Sequence, residues 1–252
     1  MANPAPILCI DAGNSHFKVG LFDASGTLTH LDHLEEETKV LKLVSGVAGA
    51  YPTVLVGISN VRNLDLSAWY ATAEASKIEY RFIGPEIKLP YTLRYRTPGT
   101  LGADRMAAVA GARVLVPEGH VMVADIGTAI TTDILDADNN YLGGTISPGQ
   151  DMRLKSLHEH TVRLPHVAVA SAPELPGTST ETSLQAGVFW GIVGELNQLV
   201  EEYRFRLHQD LHLVLTGGDA AAFENHVKSV NFADPHIILR GIHALVGFNA
   251  YA

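Results

Sequence analysis

The chain has 252 residues, 46% apolar and 18% charged, a globular composition long enough for one large domain or two ordinary ones. Its 27 acidic and 18 basic residues leave a net charge of −9, which argues against a nucleic-acid binder or a membrane-surface binder, since both need a basic face. The single cysteine, Cys9, excludes a disulfide framework within the chain. It sits in the apolar run Ile7 to Ile10, so a buried strand residue is expected there rather than a nucleophile.

Met1 to Pro6 carries no basic residue and no long apolar stretch, so no secretory leader is expected. No apolar run approaches the ~20 residues of a membrane span. A cytoplasmic protein with no membrane partner is the expectation. Ile7 to Asp11 reads as a short buried strand, followed by strands at Phe17 to Phe22 and Thr27 to His33 around the turn Asp23-Ala24-Ser25-Gly26. Glu35 to Ala48 has helical spacing at Val40, Leu41, Val44 and Val47. A strand at Thr53 to Ile58, a helix at Leu64 to Ala75 and a strand at Ile78 to Ile83 follow. Pro85, Pro90 and Pro98 mark an extended connection, and Gly102 to Val116 reads as an apolar helix that stops before Pro117.

The pattern then restarts. Val121 to Asp125 reads as a buried strand, with two more at Ala129 to Leu135 and Tyr141 to Ile146, and a helix at Gln150 to His158. Leu164 to Gly177, with three prolines, reads as a loop. Thr178 to His208 predicts one long helix with Leu184, Val188, Ile192, Leu196, Leu199, Tyr203 and Leu207 on one face, and with Thr178 and Glu181 spaced as a capping box. A strand at Leu211 to Thr216, a short helix at Asp219 to Glu224 and a terminal helix at Arg240 to Tyr251 complete the chain. The segments Asp11-Ala12-Gly13 and Asp125-Ile126-Gly127 align 114 residues apart, each within strand, turn, strand, turn, strand. This predicts two similar lobes, residues 1–117 and 118–252, with the terminal helix able to pack back on the first.

In an Asp-x-Gly turn the carboxylate ends a buried strand, where it can hold Mg²⁺ directly or through water. Gly13 lets a ligand approach the backbone, and the following N–H groups with the Ser15 hydroxyl can bind phosphate oxygens. Lys18 adds a compact positive charge. The other reading is a hairpin whose aspartate caps its own backbone. The pair of turns, with Thr128 and Thr131 in the second, favours phosphate. Thr216-Gly217-Gly218-Asp219 follows a strand and opens a helix, so a ring or sugar can lie flat against it. Gly102-Ala103-Asp104-Arg105 opens a helix after a Pro/Gly-rich loop. Asp104 there can take a proton from a substrate hydroxyl, and Arg105 can engage an anion. The segment His158-Glu159-His160 is expected to be solvated rather than metal-binding. Gly187, Gly191 and Gly194 predict close packing on the long helix, at a dimer contact or within the chain.

Taken in order, Asp11 to Lys18 (DAGNSHFK), Gly102 to Arg105 (GADR), Asp125 to Asp133 (DIGTAITTD), Gly143 to Gly149 (GGTISPG) and Thr216 to Ala220 (TGGDA) resemble the motif set of type III pantothenate kinases, across nearly the whole chain. The resemblance implies an α/β fold of two ribonuclease-H-like lobes with a central ATP cleft, as in actin-like ATPases. It implies transfer of the ATP γ-phosphate to the 4′-hydroxyl of pantothenate, with Asp104 as catalytic base. It puts ATP on Asp11, Ala12, Gly13, Asn14, Ser15, His16, Phe17, Lys18 and Thr128, beside the Gly217-Gly218 turn. Pantothenate falls on Tyr95, Gly102, Ala103, Asp104, Arg105 and Thr180. Asp125 is implied to hold K⁺ or NH₄⁺, Asp11 Mg²⁺, and the family is typically homodimeric. Ser15 stands where threonine is more usual in the family, and Asp133 has no assigned role. A nucleotide-binding regulator without catalysis, and a kinase for another small alcohol, are the competing readings.

Overall fold

The computed structural model describes residues 6–51, 53–62, 64–75 and 78–250. It contains two compact units: one runs up to Val114 and takes back the chain from Ile237, and the other is Leu115–His236. In the first unit, β1 (Ile7–Ala12), β2 (Phe17–Phe22) and β3 (Leu28–Leu34) form an antiparallel meander. The helix α1 (Glu37–Ala50), β4 (Val54–Asn60), α2 (Leu66–Ala75) and β5 (Ile78–Phe82) follow, and the sheet order is β3-β2-β1-β4-β5 with β4 and β5 parallel to β1. A two-residue strand β6 (Thr92–Leu93) and a 3₁₀ turn at Pro98–Thr100 lead to α3 (Ala103–Leu115). The segment of β6 and the 3₁₀ turn read from sequence only as a loop.

The second unit repeats the plan. The strands β7 (His120–Ile126), β8 (Ala129–Leu135) and β9 (Asn140–Pro148) form a meander, followed by α4 (Gln150–Glu159), α5 (Thr180–Leu207), β10 (Leu211–Thr216), α6 (Ala220–Phe223) and β11 (Val230–Ala233). The order β9-β8-β7-β10-β11, with β10 and β11 parallel to β7, is the order of the first sheet. The same strand order and directions occur twice, which is how the repeat of Asp-x-Gly turns is expressed in three dimensions. The four-residue β11 carries mostly exposed side chains and therefore no hydrophobic signal.

Every residue of β1 is buried, because both faces of its sheet are covered. One face packs Leu8, Ile10, Ala12, Val56 and Ile58 with Val40, Val44 and Trp69. Trp69 donates its indole N–H to Glu37 at 2.5 Å. The opposite face receives the last helix, α7 (Ile237–Ala250), against β1, β2 and β4. Glycine makes that approach possible: a Cβ at Gly57 would lie 2.5 Å from Ile242 and 2.6 Å from Val246. The helix α7 also crosses α3 backbone to backbone. A Cβ at Gly241 would lie 1.7 Å from the Ala107 carbonyl oxygen, and one at Gly111 would lie 2.1 Å from that of Ile237. The expected last residue of this helix, Tyr251, lies outside the described residues.

In the second unit α5 buries Phe189, Ile192, Val193, Leu196 and Val200, with Leu184, Leu199, Tyr203 and Leu207 packed at the margin. Phe189 stacks on Phe223 at 4.7 Å. The start of α5 differs from the expected Thr178/Glu181 box. Ser179 is the cap, its hydroxyl accepting from the Thr182 N–H, while Thr182 Oγ1 accepts from the Ser179 N–H at 2.9 Å. Thr182 at the third helical position supplies the short reciprocal acceptor, and its Oγ1 also takes the Thr178 N–H at 3.0 Å.

Candidate functional site

Asp11 is the penultimate residue of β1 and only 7% exposed. The chain leaves the sheet at Gly13, and Asn14, Ser15 and His16 are exposed before Phe17 begins β2. The turn therefore presents backbone N–H groups and the Ser15 hydroxyl to solvent at the edge of a fully buried strand. The β1–β2 register places Lys18 across from Asp11 on one side, and the β1–β4 register places Ser59 across from it on the other. Lys18 has no ion-pair partner among the described residues. Phe17 is buried, and the Arg62 guanidinium stands over its ring at 4.6 Å. Arg62 is tied to this edge through its N–H, donated to Asn60 Oδ1 at 2.9 Å, while the Val61 N–H donates to the Ala12 carbonyl at 3.2 Å. Ser59 and Arg62 lie outside the sequence motifs. Their signal lies in strand pairing, not in any local motif.

Gly102 to Arg105 forms the N-terminus of α3. The Gly102 carbonyl accepts the first helical bond, from the Met106 N–H at 3.1 Å. Asp104 Oδ1 folds back to accept the Arg105 N–H at 2.8 Å. It occupies the space a side chain at Gly102 would need, since a Cβ there would lie 2.3 Å from Asp104 Oδ1. The glycine thus makes room for the carboxylate. Among the described residues Asp104 has no ion-pair partner, and the hydrogen bond to the Arg105 N–H uses its Oδ1. Arg105 is buried and lies 5.9 Å from the Tyr95 ring centroid, so two of the expected pantothenate contacts meet. Tyr91 donates its hydroxyl to the Met106 carbonyl at 2.9 Å and pins the preceding loop to the helix. The helix α7 packs on β1 and crosses α3 at Gly241 and Gly111, so it touches the elements that carry both groups.

In the second unit three turns are knitted together. Asp125 is the penultimate residue of β7, Gly127 follows the strand, and Thr128 is exposed. The Gly149 N–H donates to the Thr128 carbonyl at 3.0 Å, and the Asp219 N–H donates to the Ile126 carbonyl at 2.9 Å. Gly217 has a φ of +100°, a conformation favouring glycine, and a Cβ on it would lie 2.4 Å from Asp125 Oδ1 and 2.3 Å from the Ile126 carbonyl oxygen. Gly218 beside it is exposed with open space above it. The SPG loop is held from behind: Ser147 Oγ donates to Glu195 at 2.5 Å, and Arg153 pairs with Glu195 and donates to the Pro148 carbonyl at 2.6 Å. Burial first, then the carboxylate of Asp151, push Asp219 up from the ordinary aspartate range.

Other expected positions resolve differently. Asp133 is buried and accepts the Tyr141 hydroxyl at 2.6 Å, so it has a partner inside the second unit. Thr180 is exposed at the first position of α5, and no hydrogen bond among the described residues joins it to the Asp125 turn. Gly187 and Gly194 face open space, and the atom nearest a Cβ on Gly191 is Arg153 Nη1 at 3.9 Å. None of the described residues packs closely against these glycines. His158 and His160 are exposed, with His158 Nδ1 2.8 Å from the Leu164 carbonyl. Cys9 is wholly buried, and burial raises its thiol pKa well above the ordinary value. No helix of the described residues is long and apolar enough to cross a membrane.

Each Asp-x-Gly turn offers one carboxylate among backbone and hydroxyl oxygens. These hard donors suit Mg²⁺ or a monovalent cation that keeps water or phosphate oxygens as its remaining ligands. A family model for type III pantothenate kinases matches residues 7–202. A type III pantothenate kinase of Phocaeicola vulgatus is 35% identical over 96% of this chain and 98% of its own. That of Flavobacterium johnsoniae is 32% identical over 94% and 95%. Among solved structures, a Campylobacter jejuni protein described as a Baf family transcriptional activator superposes with a TM-score of 0.60 at 23% identity, over 97% of this chain and all of that one. An inorganic polyphosphate/ATP-glucomannokinase of Arthrobacter gives 0.51 at 15% identity, over 97% and 99%. Both likenesses show the fold, which the second shares with a sugar kinase.

Proposed function

This chain belongs to the type III pantothenate kinase family, and from that premise we infer how its residues divide the transfer of the ATP γ-phosphate to the 4′-hydroxyl of pantothenate, the first step of coenzyme A synthesis. Asp104 takes the proton of the 4′-hydroxyl as its oxygen bonds to the γ-phosphorus and the bond from that phosphorus to the β-phosphate oxygen breaks, releasing ADP. The observation that carries this role is the Asp104 carboxylate at the head of α3, fixed by the Arg105 N–H and given space by Gly102. Full deprotonation before attack is not needed, because phosphoryl transfer runs through a loose transition state in which positioning dominates.

Arg105 and Tyr95 hold the pantothenate carboxylate, with Gly102 and Ala103 against its chain and Thr180 as a further polar contact. The N–H groups of Asn14 to His16, the Ser15 hydroxyl and the Lys18 ammonium receive phosphate oxygens. Thr128 and the Gly217-Gly218 turn receive the rest of the nucleotide. Mg²⁺, when bound, would neutralise charge on the phosphates, with Asp11 its holder through water. Asp125, beside Gly217, would hold K⁺ or NH₄⁺. The protein acts in the cytoplasm as a homodimer. The open glycines of α5 support the dimer, since each costs a helix interior about 1 kcal/mol and none packs closely against another of the described residues.

The test is a coupled ADP-release assay over a panel of small alcohols, with and without K⁺. Turnover that requires pantothenate and rises with K⁺ is expected. ADP release indifferent to pantothenate would sink the substrate assignment, and tight ATP binding with no acceptor-dependent turnover would favour a non-catalytic regulator.

A further inference from the structure

Ser59 is the last but one residue of β4 and fully buried, and its hydroxyl has no hydrogen-bond partner among the described residues. A buried hydroxyl without a partner is destabilising, and such groups are rare enough in folded proteins that each calls for a reason. The preceding strand residues, Val54 to Ile58, are apolar or glycine, so packing alone would be met by alanine.

The register supplies the reason. The parallel β1–β4 ladder pairs Ser59 with Asp11, so the two side chains lie on one face of the sheet a strand spacing of ~4.8 Å apart. Lys18 holds the corresponding place on the other side of Asp11. The second unit repeats the arrangement independently. There the parallel β7–β10 ladder pairs Asp125 with Thr216, which is 1% exposed. Both motif aspartates thus have a buried hydroxyl residue directly across a parallel ladder. Sequence spacing does not show it, because Asp11 and Ser59 are 48 residues apart and Asp125 and Thr216 are 91 apart.

We propose that Ser59 is a positioning residue for Asp11. Its hydroxyl donates to the Asp11 carboxylate when the hydrated Mg²⁺–nucleotide binds, and so keeps the other carboxylate oxygen turned to the cation's water. The cost of the buried hydroxyl in the free protein is set against that bond in the complex. The proposal rests on the assignment of Asp11 to the Mg²⁺–nucleotide side.

The experiment compares wild type with Ser59→Ala in three measurements: melting of the ligand-free protein, calorimetric binding of ADP with and without Mg²⁺, and the Mg²⁺ concentration giving half-maximal turnover. Removing an unpartnered hydroxyl leaves ligand-free melting unchanged or raised. ADP binding without Mg²⁺ is unchanged, Mg²⁺-dependent binding weakens about tenfold, as for one hydrogen bond to a charged group, and the Mg²⁺ requirement rises by a similar factor. The isosteric pair Ser59→Thr and Ser59→Val repeats the comparison at equal volume, so poor folding of the alanine variant still leaves a result: threonine should keep the Mg²⁺ response and valine lose it. A Mg²⁺ response within twofold of wild type in Ser59→Ala and Ser59→Val overturns the proposal, as does a fall of several degrees in ligand-free melting for Ser59→Ala. Asp11→Asn is the control. If it also leaves the Mg²⁺ response intact, the assignment of Asp11 itself fails. If it abolishes the response while Ser59→Ala and Ser59→Val do not, only the role of Ser59 fails.

Discussion

Gly241→Ala places one methyl group where α7 and α3 touch backbone to backbone. The new Cβ would start 1.7 Å from the Ala107 carbonyl oxygen and 2.9 Å from the Gly111 nitrogen, whereas ordinary contact begins near 3.4 Å. The obstacle is helix backbone, so no rotamer change relieves it, and the helices must part by about 1.7 Å. Overpacking of this kind costs about 1–3 kcal/mol. The functional consequence is larger, because α3 carries Asp104 at its head while α7 stays seated on β1, the strand that carries Asp11 as its last residue but one. A misplacement of about 1 Å between reacting groups costs on the order of 100-fold in rate. Steady-state ADP release should therefore show kcat down by about two orders of magnitude, with ADP binding by calorimetry within a few-fold of wild type and a lower melting temperature. Wild-type kcat and melting in Gly241→Ala would refute the idea that this contact sets the position of Asp104.

Gly102→Ala should separate activity from stability: the atom it meets is the end of a flexible side chain, Asp104 Oδ1, which can swing off the Arg105 N–H. A loss of about 100-fold in kcat with a melting temperature close to wild type is expected, and unchanged kcat would count against the fixed carboxylate. Gly217→Ala combines a φ of +100° with a Cβ 2.3 Å from the Ile126 carbonyl oxygen, so a destabilisation of about 2 kcal/mol or more is expected, with a raised K⁺ requirement in the same assay. His243 is held below its ordinary value of 6.5 by burial and by Arg240, against a smaller opposing effect of Asp23. Its neutral form is favoured by folding, so stability present above pH ~6.5 declines as pH falls through the depressed folded value. His243→Phe, which keeps a ring on Phe22, should flatten that decline in denaturant titrations between pH 7.5 and 5.5; parallel profiles for the two proteins would contradict it.

The long strands and helices were legible from sequence because their apolar spacing is strong, as in Val121 to Asp125 and along the buried face of α5. Element ends shifted where capping chemistry decided them. The start of α5 is set by Ser179 and Thr182 instead of Thr178 and Glu181, a shift of one residue between neighbouring polar side chains. β6 and β11 escaped because two or four mostly exposed residues carry no period. At the candidate site, residues in contiguous motifs were readable one stretch at a time. Gly102 could be read as part of such a stretch, but its reason, the returning carboxylate of Asp104, is a contact. Ser59, Arg62 and the Arg153–Glu195 brace behind the SPG loop belong to no motif and acquire meaning only through strand pairing and side-chain contact.

Asp104 has the proposed role of base for a pantothenate hydroxyl beside a nucleotide site that does not depend on it. Asp104→Asn keeps the shape and the carbonyl oxygen that can accept the Arg105 N–H, but removes the proton acceptor. Pantothenate-dependent ADP release and calorimetric ADP binding on the same preparation test the claim most directly. A base role predicts kcat reduced by about 10²–10⁴-fold with nucleotide affinity within a few-fold of wild type. Turnover within tenfold of wild type at saturating pantothenate would contradict it.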